Sequence, residues 1–468
     1  MSIIIPANTL AAGGFDVDNS LRINQGDSAY LHKTFGTSSD RKKWTYSFWI
    51  KKASQTDMGV IAQGADGNNK GLAYFNAAGD FVYFEAASGS VVFLIQTNDL
   101  YRDNLAWYHF VIRVDTTQGT AANRVRLYVN GTQITTFQNA SYPDQNYQGE
   151  INKSDTRHDI SGFNAFGENG YYFDGYMAEV VFTDGQSLAP TDFGEFDEDS
   201  GIWKPIKVSG LTFGTNGFYL DFKASGNLGN DANGGTDLTE VNLAATDQST
   251  DTCTNNFTLW NALNQQSSIS YSEGNTTFIN SSGGNRMAFS NFGVTAGKWY
   301  AELKVGVVHN HMRLGVADIS FYIPVTNAYS TNLPNSISYA NDNPIYIGGS
   351  SQGDFGSFTT DDIISIVMDM DNGFVYFAKN GTYLNSGDPT SGSDGTGGFA
   401  IPNYTTKTYC FLGSSYDGGT DATVLANFGS PSYSESGGET DGNGYGNFAH
   451  AVPSGYFSLN TKNLAENG

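Results

Sequence analysis

No stretch of this chain keeps apolar residues at i, i+3, i+4 and i+7 for three helical turns, because Gly or Asn interrupts almost every window. What recurs is the two-residue alternation of a half-buried strand, in short aromatic-rich runs bounded by turn residues. In the first half the runs fall at 44–51, 72–75, 81–85, 91–96, 107–114, 125–129 and 176–182. In the second they fall at 298–305, 311–316, 363–370, 374–379, 409–412 and 424–427. Regularly spaced short strands predict an all-β chain of antiparallel sandwiches of jelly-roll type, with little or no helix. A single core stops growing at about 250–300 residues, so 468 residues predict two sandwiches in tandem. The 56 Gly, 27 Tyr and 32 Phe, with only 15 % charged residues, fit many strands and tight turns.

The expected organisation is an attachment arm at 1–14, a sandwich at 15–205, a packed junction at 206–256 and a second sandwich at 257–468. The junction carries Pro, Asp, Gly and Asn, but Phe218, Leu220 and Phe222 alternate as a short packed strand would. One pattern occurs in both halves. Residues 110–134 and 363–384 each read as a three-strand meander closed by an Asn-Gly turn, Asn130-Gly131 and Asn380-Gly381. Asn-Gly is the strongest two-residue hairpin signal, since a type I′ turn needs positive φ at both central positions.

The formal charge of −23 excludes the nucleic-acid backbone as the main partner. Cys253 and Cys410 are the only cysteines and lie far apart, so neither a disulfide framework nor a zinc pattern is expected, and a reducing compartment of origin is. No 18 consecutive apolar residues are present to cross a membrane, and the apolar run Ile3 to Ile5, followed by Pro6, lacks the basic segment of a signal peptide.

Residues from about 15 to 205 carry WTYSFWI from Trp44, WYHFVIRV from Trp107, VRLYVNG from Val125 and FDGYMAEVVF from Phe173, the last followed by TDGQSL and Pro190. Together they resemble a concanavalin A-like, laminin-G-type jelly roll. Residues from about 285 to 460 carry GKWYAE from Gly297, RLGV from Arg313, Asp362 with IISIVMD after it, GFVYFAKNG from Gly373 and NFG from Asn427, and they resemble a SPRY domain. The pairing of the two, joined through a segment such as GFYLDF from Gly217, is similar to virion proteins of tailed bacteriophages, notably those of marine hosts.

That resemblance implies a fibre, spike or decoration protein exposed on the particle after assembly in the host cytoplasm, often trimeric, and an adhesin. Its partners are then other virion proteins, met through the N-terminal arm, and a host-surface glycan or protein; neither nucleic acid nor membrane is a partner. The alternatives are a capsid decoration protein without a receptor and a polysaccharide-degrading tail enzyme. No catalysis is expected: retaining glycosidases need paired carboxylates about 5–5.5 Å apart, and the pairs at that spacing, Asp369 with Asp371 and Asp197 with Asp199, read as turn residues.

No cofactor is required, and Ca²⁺ is the one ion worth testing. Laminin-G-like domains often hold it near one rim, for which Asp174, Asp184 and Asp80 are the weak candidates, without the spacing of a known Ca²⁺ loop. His309 and His311 form the only His-x-His, whose two-residue spacing would put both rings on one face of a strand and, in a trimer, around one metal. Trp44, Trp49, Trp107, Trp203 and Trp299 are expected mostly in the core. Loop aromatics suited to ligand stacking are Tyr101, Tyr142, Tyr147, Tyr171, Tyr322, Tyr339, Tyr416 and Tyr445. The last four lead the expectation, and insertions at 319–345 and 386–403 would supply the binding loops of a SPRY-like unit.

Overall fold

The computed structural model describes residues 14–163, 170–263, 269–281, 284–309, 311–321, 333–416 and 421–468. The chain divides into two compact units, one within Leu10–Thr254 and the other within Asn255–Gly468. Each is an antiparallel β-sandwich, as the strand pattern predicts.

In the first unit one eight-stranded sheet runs, in spatial order, Thr132–Gln133, Val125–Val129, Tyr108–Asp115, Lys43–Lys52, Gly175–Asp184, Ser20–Ile23 and Gln248–Ser249, with Phe218–Leu220 also on Gly175–Asp184. The facing eight-stranded sheet runs Phe137–Ser141, Ser90–Leu100, Asp80–Ala87, Asn69–Phe75, Met58–Asp66, Arg157–Ile160, Tyr30–Thr34 and Thr239–Val241. Trp44, Tyr46, Phe48 and Ile50 point into the core between them, against Phe75, Phe81, Tyr83 and Phe93.

The alternate residues of Lys43–Lys52 are buried as well, because the outer side of their sheet is covered. Trp49 packs with Val17, Ala178 and Trp203, while Val111, Tyr128 and Val181 pack with Phe193. A strand covered on both faces carries large residues at every position, which is how WTYSFWI reads. Lys51 is buried on that outer side with its ammonium bonded to the equally buried Asp251 carboxylate, which also accepts from the Trp107 indole at 3.3 Å.

The stretch expected as a junction is therefore part of the first unit as far as Thr254. Phe218–Leu220 and Gln248–Ser249 extend one sheet and Thr239–Val241 the other. Its Gly- and Asn-rich composition reflects tight loops between very short strands.

In the second unit a nine-stranded sheet includes, in order, Ile269–Ser272, Thr277–Asn280, Ala422–Asn427, Lys298–Val307, Ile363–Asp369, Phe374–Lys379 and Thr382–Tyr383. It faces a six-stranded sheet ordered Asn285–Phe289, Tyr409–Tyr416, Arg313–Asp318, Ser336–Ala340, Pro344–Ile347 and Ser350–Asp354. Trp260, Trp299, Phe278, Phe377 and Phe411 fill the core. Tyr456 and Phe448, from the segment before the C-terminal helix Thr461–Asn467, cover the outer side of the larger sheet against Tyr300, Val367 and Tyr376.

Both predicted meanders are present, and their turns work identically. Asn130 and Gly131 have φ of 45° and 75°, Asn380 and Gly381 of 49° and 78°, as a type I′ turn requires. In each, the Asn N–H donates to a carbonyl at the start of the meander and the Asn side-chain oxygen accepts that residue's N–H. His109 is the partner of Asn130 and Ile363 that of Asn380, all four bonds at 2.8 Å.

Candidate functional site

The outer side of the second sheet in the first unit presents rings and polar groups together. Its register places one residue from every strand in a row across the sheet: Ser141, Leu94, Phe84, Leu72, Ala62, Asp159, His32 and Thr239. Side chains alternate across a strand, so all eight point away from the core, with Leu72, Ala62 and Asp159 in the middle of the row covered by their neighbours. On this side Tyr74, Phe84 and Tyr171 stay partly exposed over Leu72, Ala62 and Phe163. Tyr74 meets Tyr171 edge-on at 5.3 Å and Phe84 at 6.5 Å.

The other half of the row is polar. Arg157 donates from Nε to Asp159 Oδ1 at 2.6 Å and lies 5.1 Å over the Tyr30 ring. Tyr30 in turn contacts Tyr172 and His32, each at 6.0 Å between ring centres. Burial, and secondarily the Arg157 charge, hold the His32 pKa below its ordinary value against the pull of Asp159, so the ring is neutral at neutral pH. A strip of rings beside a guanidinium and an imidazole can stack on apolar faces of a ligand and hydrogen-bond its polar groups. The row contains a single carboxylate, Asp159, where glycosidase chemistry needs two.

Of the seven loop tyrosines among the described residues, Tyr171 alone belongs to this strip. Tyr339 corrects the expectation: it lies on strand Ser336–Ala340, fully buried in the second core, with its hydroxyl donating to Gly356 O at 2.6 Å. The insertion at 319–345 is partly strand, and Tyr339 occupies an inward position of it. Tyr101 is also core, and Tyr142 and Tyr147 pack against the core of the first unit. Tyr322 lies outside the described residues. Tyr445 is half-buried under the Lys462 ammonium at 5.7 Å. Tyr416 ends strand Tyr409–Tyr416 and meets His311 edge-on at 6.0 Å.

The His-x-His geometry is not that of a strand. His311 has φ of 57° and the strand begins only at Arg313, so the period that would align His309 and His311 does not apply. Asp184 is a second correction. Its two oxygens accept from the Ser39, Asp40 and Asn216 N–H groups and the Asn152 amide at 2.7–3.3 Å, which fills them with donors that a cation would have to displace. Asp174 is buried, its pKa raised by that burial, and it accepts from Ser54 and the Gln25 N–H. Asp80 accepts from the Asn76 and Gln96 amides. Among the described residues no three His, Cys, Asp or Glu side chains converge as metal ligands.

The carboxylate pairs hold turns, as predicted. Asp369 accepts from the Asp371 and Asn372 N–H groups and from Lys298, and Asp371 accepts from the Gly297 N–H at 2.7 Å. Asp197 accepts from Asp199, Ser200 and Lys204 in the hairpin that follows it.

Comparison with known proteins agrees with the first half of this architecture. Residues 24–189 match the model of the Concanavalin A-like lectin/glucanases superfamily. Among curated proteins none matches the sequence. Solved structures similar to part of the chain include the SPRY domain of human HERC1, 17 % identical over 36 % of this chain and 96 % of that one, with a TM-score of 0.29. The TRIM65 PSpry domain is 10 % identical over 36 % of this chain and 91 % of its own, at 0.28. The native heptameric SAP-like pentraxin of Limulus polyphemus is 15 % identical over 38 % and 80 %, at 0.27.

Proposed function

We propose that this chain is a carbohydrate-recognition protein that binds through the open face of its first sandwich, and that it serves as an adhesin of a tailed-phage particle. The observation that carries the binding reading is the outward face, with the partly exposed rings of Tyr74, Phe84 and Tyr171 at one end and Arg157 and His32 at the other, Arg157 being held by the buried Asp159. The virion setting rests on the sequence resemblance, as do a trimeric assembly and an attachment role for residues 1–14. Loops of the second sandwich then serve as spacer or as a second contact with the host surface.

Titration with neutral and acidic oligosaccharides, followed by NMR or calorimetry, tests the binding reading. Tyr74→Ala and Phe84→Ala are expected to weaken binding roughly five- to tenfold each, the loss of about 1 kcal/mol of ring contact, while Tyr445→Ala leaves it unchanged. Unaltered affinity in both face variants would sink the assignment of this face. Release of shorter oligosaccharides during the titration would overturn the non-enzymatic reading. An image of the particle placing the protein on the capsid shell, away from any tail end, would favour decoration over adhesion.

A further inference from the structure

Just past the last strand of the first unit lies a buried pair whose two groups are chemically able to join. Lys51 stands on strand Lys43–Lys52, in the middle of its sheet, and Asp251 follows the edge strand Gln248–Ser249, 200 residues later in the chain. Lys51 Nζ contacts Asp251 Oδ2, and both side chains are fully shielded from solvent. Asp251 Oδ1 accepts the Trp107 indole N–H at 3.3 Å. The lysine nitrogen lies against two ring faces, 4.7 Å from the centre of Tyr176 and 5.7 Å from that of Trp107. The main chain of Asp251 is fixed as well. Its N–H donates to Ser249 Oγ at 3.1 Å, and its carbonyl accepts the Ser20 hydroxyl at 2.7 Å.

Two opposite charges removed from water stay charged only where their attraction offsets the lost hydration. In such a site the ammonium proton can pass to the carboxylate, which leaves a neutral amine against a neutral carboxylic acid. Burial holds the Lys51 pKa below its ordinary value, against the opposing pull of Asp251, and so favours the neutral amine. A desolvated lysine amine is a nucleophile. The carbon it faces carries a hydrogen-bond donor on its other oxygen, where negative charge develops when a carboxyl group is attacked. Fixed neighbours make the condensation intramolecular, and the enclosed site keeps bulk water from hydrolysing the product.

We propose that Lys51 and Asp251 condense into an intramolecular amide, an isopeptide bond that clamps the final strand of the first sandwich to the middle of its sheet. The ammonium proton moves to Asp251 Oδ2. Lys51 Nζ then bonds to Asp251 Cγ, and the charge placed on Oδ1 is held by the Trp107 N–H. The nitrogen gives a second proton to Oδ2, which leaves as water while Oδ1 closes back to a carbonyl. One ammonium and one carboxylate thus become one amide and one water, with no oxidant or other co-reactant. The bond joins residues 200 apart, and a cross-link across a long loop removes the most entropy from the unfolded chain.

The test is intact-mass spectrometry of the purified full chain in denaturant, followed by tryptic digestion and tandem mass spectrometry. The wild-type chain is expected to weigh one water less than its sequence. One branched peptide should contain both Lys51 and Asp251, with no cleavage after residue 51. Lys51→Arg and Asp251→Ala are each expected to show the full mass, and the wild-type peptide decides the matter even where a variant does not fold. Full mass in the wild type, with residues 51 and 251 recovered in separate peptides, overturns the proposal and leaves a plain ion pair. A missing water that persists in Lys51→Arg, or that maps to a succinimide at Asp251, overturns it too.

Discussion

Two buried glutamates in the first unit are each paired with a tyrosine. Tyr83 donates to Glu85 and Tyr219 to Glu179, both at 2.6 Å. Burial lifts both carboxyls to about 7. Glu85 also accepts the Glu150 and Ile151 N–H groups, which fastens the loop at 149–151 over the end of the core. Glu179 stands in a β-bulge with φ of 48°, a backbone kink that turns its side chain toward Tyr219. Each binds its proton more tightly folded than unfolded. The stability each contributes is therefore complete below about pH 4.5 and lost as pH rises through 7, roughly 3 kcal/mol per group at most. Asp66 and Asp388, held below the ordinary range by the Asn69 amide and the Thr390 hydroxyl, act oppositely and lose their contribution in stronger acid. The buried His109 and His158, held down to about 3 by burial, act against the glutamates below pH 6.5, so the fall of stability with pH should show in urea unfolding between about pH 6.5 and 8. Glu85→Gln should flatten that slope, because its amide can donate to the Tyr83 oxygen while its carbonyl keeps the Glu150 N–H.

At the scale of elements, the two Asn-Gly hairpins share their backbone and differ in what lies against the glycine. A Cβ on Gly131 would meet the Trp203 ring at 2.3 Å, and one on Gly381 the His450 ring at 2.6 Å. Trp203 is held, with its indole donating to His109 Nδ1 at 2.9 Å and its ring stacked on that imidazole. His450, a smaller ring, is half-buried with its Nδ1 3.2 Å from Glu302 Oε1. Both alanines carry the left-handed penalty of about 1 kcal/mol, and Gly131→Ala adds an overpacking cost of roughly 1–3 kcal/mol. Thermal unfolding should therefore show Gly131→Ala as the more damaging change. An equal loss in the two would mean that Trp203 yields freely. The Asn-Gly signal was legible in the sequence because it depends on two adjacent residues. What packs on the turn was not, because Trp203 is distant in the chain.

At the scale of the whole molecule, the sequence-based boundary at 205 and the structural one at Thr254 make different claims about what folds. A fragment ending at 205 loses three strands and Asp251, leaving the buried Lys51 ammonium without its carboxylate. Removing one partner of a buried pair costs about 3–5 kcal/mol, a large part of a domain's stability of about 5–15 kcal/mol. Residues 14–254 are expected to unfold cooperatively by circular dichroism and 14–205 to remain without a transition. A cooperative transition in the shorter fragment would show that the stretch at 206–254 is dispensable.

The amino-acid sequence alone determined the all-β class, the pair of sandwiches, most strand positions and both type I′ turns, because alternation and turn chemistry act over a few residues. It also placed Trp44, Trp49, Trp203 and Trp299 inside, since an indole is costly to leave in water. Only the tertiary structure decided which of a strand's two faces meets solvent. Lys70, Leu72 and Tyr74 alternate visibly with Gly71, Ala73 and Phe75, yet nothing local says that the first set points out or that Phe84, Asp159 and His32 continue its row. Register across distant strands sets that, and with it the recognition face. The same long-range folding buried Tyr339 and filled Asp184 with donors.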